Sequence, residues 1–257
     1  GASDGAYGSM VLIATLGAIA GMWVTPICRR LAGTLALPAS ALLVAASFVW
    51  TGFAPNLLAL TAALTVVSLG SGLVDILINA RVSEMETEHG RHFMNLNHAM
   101  YSFMYGGTAL IVGAAREAGL GPSTICLLIS LAMLPLVAMM WGDDPSPEDA
   151  PKAGANFPRV LVMLVGALVF AGFLAEASSE GWSALHLERT LGGGAAQGAL
   201  GPAILGITMG FGRLFGHLLS AAVAPMLLLS GACILSGLGM VMAGAAPTLA
   251  IAYAGFA

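Results

Sequence analysis

Apolar residues fill this chain in runs that can be measured against a bilayer, which a helix crosses with about 20 mostly apolar residues. That ruler, applied along the 257 residues, predicts eight runs and the start of a ninth. They are Tyr7 to Ile27, Thr34 to Phe53, Leu57 to Ala80, Phe93 to Ala114, Pro122 to Trp141, Pro158 to Ser178, Ala195 to Phe215, Val223 to Ala243, and Pro247 onward. Polar interruptions single out two of them: Asn95, Asn97 and His98 in the fourth and Glu176 in the sixth should lower both in a hydropathy count. Between the fifth and sixth runs lies a proline-rich, polar stretch with Asp143, Asp144, Pro145, Pro147, Glu148, Asp149, Pro151 and Lys152, which reads as a cytoplasmic linker. The predicted fold class is all-α, a polytopic membrane protein. Residues 1–142 should form an N-terminal helical bundle, 143–157 the linker and 158–257 a C-terminal bundle.

Composition agrees with lipid as the solvent. The chain is 58% hydrophobic and 9% charged, against ~45–50% and ~25% in soluble domains, which argues against a soluble enzyme. Its 34 glycines suit helices packed closely in a membrane. A net charge of -4 supplies no basic stripe for phosphates, so no nucleic-acid partner is expected. Cys28, Cys126 and Cys233 lie in or beside apolar runs without paired spacing and read as small hydrophobes, so neither disulfides nor a metal are expected.

The few cations suggest an orientation. With alternating spans, Arg29, Arg30, Arg81, Arg91, Lys152, Arg159 and Arg213 fall on one side and Arg116 and Arg189 on the other, which accounts for all 9. Cations near span ends are retained in the cytoplasm, so the first group marks the inner face and Gly1 lies outside. The chain ends at Ala257 within an unfinished apolar run and is expected to be an internal fragment of a longer protein. A short internal match, Leu16-Gly17-Ala18-Ile19-Ala20-Gly21 with Leu205-Gly206-Ile207-Thr208-Met209-Gly210, reads either as a trace of two related halves or as small-residue spacing that recurs in close-packed membrane helices.

Two strings carry a family resemblance. One is Gly72-Leu-Val-Asp75-Ile-Leu-Ile-Asn79 with Glu86, Gly90-Arg91, Met94-Asn95, His98-Ala-Met-Tyr-Ser102 and Gly106-Gly107. The other is Glu176-Ala-Ser-Ser-Glu180-Gly-Trp182-Ser-Ala with Gly212-Arg213-Leu-Phe-Gly216-His217. With them the chain resembles bacterial members of the major facilitator superfamily, nearest to the sugar-permease-like branch. The resemblance implies a two-bundle helical fold truncated at both ends, with about nine of the family's twelve spans. It implies a secondary active transporter of the bacterial cytoplasmic (inner) membrane, moving a small polar, sugar-like solute by alternating access as a monomer, coupled to protons, with no cofactor. Arg29, Arg30 and Arg213 are then cytoplasmic gating candidates, although Thr25 stands where the family carries an acid and His217 where an Asp is common.

Residue chemistry nominates the site. Asp75 and Asn79 share one helix face, as do Asn95, His98 and Ser102 on the next run, and the two faces could meet at similar depth. They read either as a polar lining of the transport path or as a structural clasp. Glu176 is expected near the outer end of the sixth run, with Glu180 and Trp182 just beyond it. A carboxylate and an indole suit a site that bonds hydroxyls and stacks a ring, and desolvation favours a neutral carboxyl, the property a proton-coupled carrier uses. The bland reading makes Trp182 an interfacial belt residue and Glu180 a solvated loop charge. Glu84, Glu86, Glu88, His89, Arg91 and His92 read as a solvated cytoplasmic loop rather than a metal cluster. The rivals to a transporter are a membrane enzyme using Asp75 and His98 as acid and base, and a transporter-like solute sensor.

Overall fold

A computed structural model describes residues 3–91, 93–141 and 158–257, without the side chains of 217, 218, 220 and 221. The linker expected over 143–157, His92 and the His217 side chain therefore lie outside the described residues. Among the described residues nine α-helices follow one another: α1 (Asp4–Ala32), α2 (Ala36–Gly52), α3 (Leu57–His89), α4 (Met94–Glu117), α5 (Pro122–Met139), α6 (Arg159–Leu185), α7 (Ala195–Ala222), α8 (Pro225–Gly244) and α9 (Leu249–Phe256). Each apolar run became one helix. Asn56 and Thr248 start α3 and α9 by accepting from the amides of Ala59 and Ile251. Pro122 and Pro225 open α5 and α8, where a missing amide proton costs nothing.

Among the described residues six segments are long and apolar enough to cross a membrane, the first of them the 49 residues Asp4–Gly52 that α1 and α2 share. Helix α4 is not among them, as Asn95, Asn97 and His98 predict. Helix α6 is, as its run predicts, because the apolar stretch from Val160 to Phe173 outweighs a single Glu176.

Two helices outrun their predicted ends. Helix α3 continues through residues 81–89, expected to be loop, because polar residues with good helix propensity extend it and Arg81 pairs with Glu84 one turn on, at 3.4 Å. It stops at Gly90, whose φ of 62° is the left-handed conformation that glycine adopts without strain. Helix α6 runs past Ser178 to Leu185 and into a π-helical turn, His186–Thr190. Glu180 and Trp182 are therefore helical, and the loop reading of Glu180 does not hold.

The helices form two packing units, each described by itself. In the first, α3 packs on α1 and α2, and α5 on α2; in the second, α7 packs on α4, α6 and α9, and α8 on α9. Helix α4, which the 1–142 division assigns to the N-terminal bundle, packs with the later helices. The reason is a glycine seam. A methyl group on Gly206 of α7 would lie 2.8 Å from the Gly106 amide nitrogen and the Ser102 carbonyl oxygen of α4, so only hydrogen fits between the two backbones.

Candidate functional site

The polar groups of the second unit converge on Arg213. Helices α6 and α7 are antiparallel neighbours in a register set by small residues: Gly198 faces Glu188, and Gly201 faces Ser183 and Leu187. That register brings Glu176, well inside α6, level with the reach of Arg213, well inside α7. A helical side chain leans toward the N-terminus of its helix, so the long Arg213 side chain points back along α7 toward the α6–α7 turn. Its Nη2 donates to Glu176 Oε1 at 3.2 Å. Its Nη1 donates to the Ser102 hydroxyl at 2.5 Å and the His98 carbonyl at 3.3 Å, both on α4. Ser102 is buried and passes its own hydroxyl proton to the same His98 carbonyl at 3.0 Å. Three helices thus meet at one guanidinium.

This geometry corrects one expected position. Glu176 does not open at the end of its helix, because α6 continues for roughly two and a half further turns at 3.6 residues per turn. Arg213 lies within α7, which continues to Ala222, and its guanidinium bonds to α4 and α6. Glu180, one turn beyond Glu176, is half-buried and within electrostatic reach of both Glu176 and Arg213.

A second polar contact ties the end of α4 to the α6–α7 turn. Arg116 makes a bidentate pair with Glu188 at 2.7 and 2.9 Å. Its neighbour Glu117 accepts from the Ala196 amide at 3.2 Å, placing a carboxylate at the N-terminus of α7, where the helix dipole favours it. Neither partnership was expected from sequence, since both depend on the same interhelical register.

The chain is 32% identical over 191 residues to an uncharacterized MFS-type transporter of Yersinia pestis, a match covering 70% of this chain and 48% of that protein. It is 26% identical over 203 residues to an uncharacterized transporter of Sinorhizobium fredii, covering 76% and 53%. The chain belongs to the major facilitator superfamily. It spans about half the length of the curated relatives it matches. No family model and no solved structure matches it.

Within this family member the remaining nominated residues separate. Asn79 donates to Asp75 at 3.0 Å along α3, and Asp75 is exposed. That pair belongs to the first packing unit, His98 and Ser102 to the second. What holds His98 and Ser102 is Arg213, a partner not foreseen for them. Asn95 and Trp182 are exposed on α4 and α6. Arg29 of α1 pairs with Glu84 of α3 at 3.1 Å, so the polar extension of α3 supplies its counter-charge, while Arg30 is exposed. Among the described residues no His, Cys, Asp and Glu group is arranged to hold a metal.

Proposed function

We propose that the chain is part of a secondary active transporter that moves a small polar solute across a bacterial inner membrane by alternating access, coupled to protons. The observation that supports this best is the Glu176–Arg213 ion pair, set among apolar helices and braced by Ser102 and the His98 carbonyl. An ion pair inside a membrane bundle is unfavourable unless it serves a purpose that an apolar pair could not. Protonation of Glu176 cancels the negative charge facing Arg213 and frees one side of the guanidinium for a solute hydroxyl. When the cavity turns inward, hydration and the positive charge of Arg213 drive the proton off again. Arg213 is then a coupling residue rather than a cytoplasmic gate, and Arg29 with Glu84 is the gating pair. The two sequence halves, 1–142 and 158–257, are the moving bundles, with the α4–α7 seam as the surface where they bear on each other.

Uptake into proteoliposomes by the full-length protein, screened over sugars, polyols and other small polar solutes with and without a proton gradient, tests the proposal. Glu176→Gln should abolish accumulation against a gradient while leaving exchange of internal for external solute intact. Accumulation that survives the substitution would make Glu176 a binding or structural residue and move the coupling site to Asp75 or to other spans.

A further inference from the structure

Arg213 joins three helices, yet its own bonding is incomplete. A guanidinium donates through Nε as well as through both Nη atoms. Nη1 donates to the Ser102 hydroxyl and the His98 carbonyl, and Nη2 donates to Glu176. The Nε–H and the second Nη2–H are left without an acceptor among the described residues. The side chain is 29% exposed, so a small molecule can reach it.

Acceptors are in surplus on the facing helix. Glu176 and Glu180 lie one turn apart on one face of α6, and Glu180 is half-buried within electrostatic reach of both Glu176 and Arg213. Arg213 bonds Glu176, whereas the Glu180 carboxylate has neither a hydrogen bond nor an ion pair among the described residues. Other charges of this packing unit are matched elsewhere: Arg116 is held by Glu188, and Glu117 sits on the Ala196 amide. Two carboxylates against one guanidinium leave one negative charge over.

A solute that completes this arrangement brings a positive charge to Glu180 and oxygen acceptors to Arg213. A neutral polyol would fill the donors and leave the surplus charge, and an organic acid would add to it, although a membrane bundle disfavours unmatched charge. We propose that the site around Arg213 takes a protonated amino alcohol or aminosugar, with its ammonium on Glu180 and a neighbouring hydroxyl oxygen accepting from the unfilled N–H groups of Arg213. The two carboxylates are separated by about 6 Å of helix rise, so the amine and the hydroxyl need be only a few carbon atoms apart. This narrows the small polar solute of the transport reading, and it rests on that reading's placing of the solute at Arg213.

Calorimetric titration of the purified full-length protein at neutral pH tests the proposal, with glucamine against sorbitol and serinol against glycerol as probes. Each pair differs by an ammonium in place of a hydroxyl. In at least one pair the amine should bind on the order of ten- to a hundredfold tighter, the difference that a charge-assisted bond makes. Glu180→Gln should erase that preference. Acetylating the amine should erase it with the wild-type protein, a readout that does not depend on how the variant folds. Amines that bind no tighter than their hydroxyl analogues in both pairs overturn the proposal. So does a preference that survives either change, which places the ammonium away from Glu180, or displacement of the amine by an equal concentration of sodium, which makes this a metal-cation site. Because titration needs no transport, amine binding by a protein that carries no solute in proteoliposomes overturns the transport reading alone. Uptake of sorbitol or glycerol by a protein indifferent to the amines overturns the amine preference alone.

Discussion

In one packing unit α1 presents Gly17 and Gly21 to α3, and in the other α7 presents Gly206 and Gly210 to α4. A methyl group on Gly21 would lie 2.6 Å from the Leu69 carbonyl, much as one on Gly206 would lie 2.8 Å from that of Ser102. The opposing helix answers in kind, with Gly72 of α3 against Ala18 and Gly106 of α4 against Ala203. The seams part company one turn on. After Gly21 comes Thr25, buried and bonded only to the Gly21 carbonyl of its own helix. After Gly210 comes Arg213, which binds α4 at two places and α6 through the Glu176 carboxylate. Small-residue spacing therefore brings the backbones together in both places by van der Waals packing, and charge joins each seam differently: Arg29 meets Glu84 of α3 two turns beyond Gly21, whereas Arg213 meets α4 and α6 at once, one turn beyond Gly210.

The largest break in that comparison is Arg213→Met, which strands Glu176. An exposed ion pair contributes ~0–1 kcal/mol and breaking a buried one costs ~3–5. With side chains 29% and 28% exposed, this pair should cost about 2–3 kcal/mol when cut. Thermal unfolding of the full-length protein in detergent measures it. Arg213→Met combined with Glu176→Leu should recover most of the loss and still not transport. The glycines come next. Gly21→Ala and Gly206→Ala should each cost about 1–3 kcal/mol of stability through overpacking. Gly206→Ala should in addition lower transport per folded molecule, because it pushes α4 and Ser102 away from Arg213. Equal transport by the two variants, once corrected for folded protein, would erase the distinction between the seams.

Much of this could be read in the sequence, and the exceptions share a cause. Apolar runs mark helices whatever their neighbours do, so every run became a helix. The Leu16 to Gly21 and Leu205 to Gly210 match, open to two readings, falls on the helices that carry the two seams. Hydropathy is blind to helix that continues in polar residues, so α3 beyond Ala80 and α6 beyond Ser178 were missed, and with them the true depth of Glu176. The partnerships of Arg213 with Glu176 and Ser102, and of Arg116 with Glu188, span 37, 111 and 72 residues of chain. They depend on interhelical register, which the contact of Gly201 with Ser183 fixes only once the helices are packed.

A smaller effect is expected at the ion pairs near the helix ends. Arg116→Gln should cost at most about 1 kcal/mol, since the Arg116 side chain is 42% exposed and solvent screens the pair. Arg29→Gln in the first unit should cost about the same or less, because Glu84 keeps Arg81 at 3.4 Å. Both losses should shrink as salt is raised from 0.1 to 1 M in unfolding experiments, over which the screening length falls from roughly 10 to 3 Å. The Arg213→Met loss should not shrink with them. A salt-insensitive Arg116 pair would class it with the charged seam instead of with the surface.

Thr25→Val should change least of all. Thr25 is 4% exposed, which makes it look important, yet its hydroxyl only returns to the Gly21 carbonyl of its own helix at 2.7 Å. That carbonyl lies in the continuous hydrogen-bonding of α1, so removing the hydroxyl leaves no orphaned acceptor, and valine fills nearly the same volume. Exchanging a local hydroxyl bond for a methyl in an apolar seam should be worth less than about 0.5–1 kcal/mol in either direction. Ser102→Ala removes a hydroxyl that makes the same kind of back-bond, but this one also accepts from Arg213, and hydrogen bonds to charged groups contribute ~1.5–3 kcal/mol. Measured side by side by thermal unfolding, the two substitutions isolate what charge adds to otherwise similar helix contacts. A Thr25→Val loss as large as that of Ser102→Ala would mean that Thr25 itself has a polar partner across the first seam.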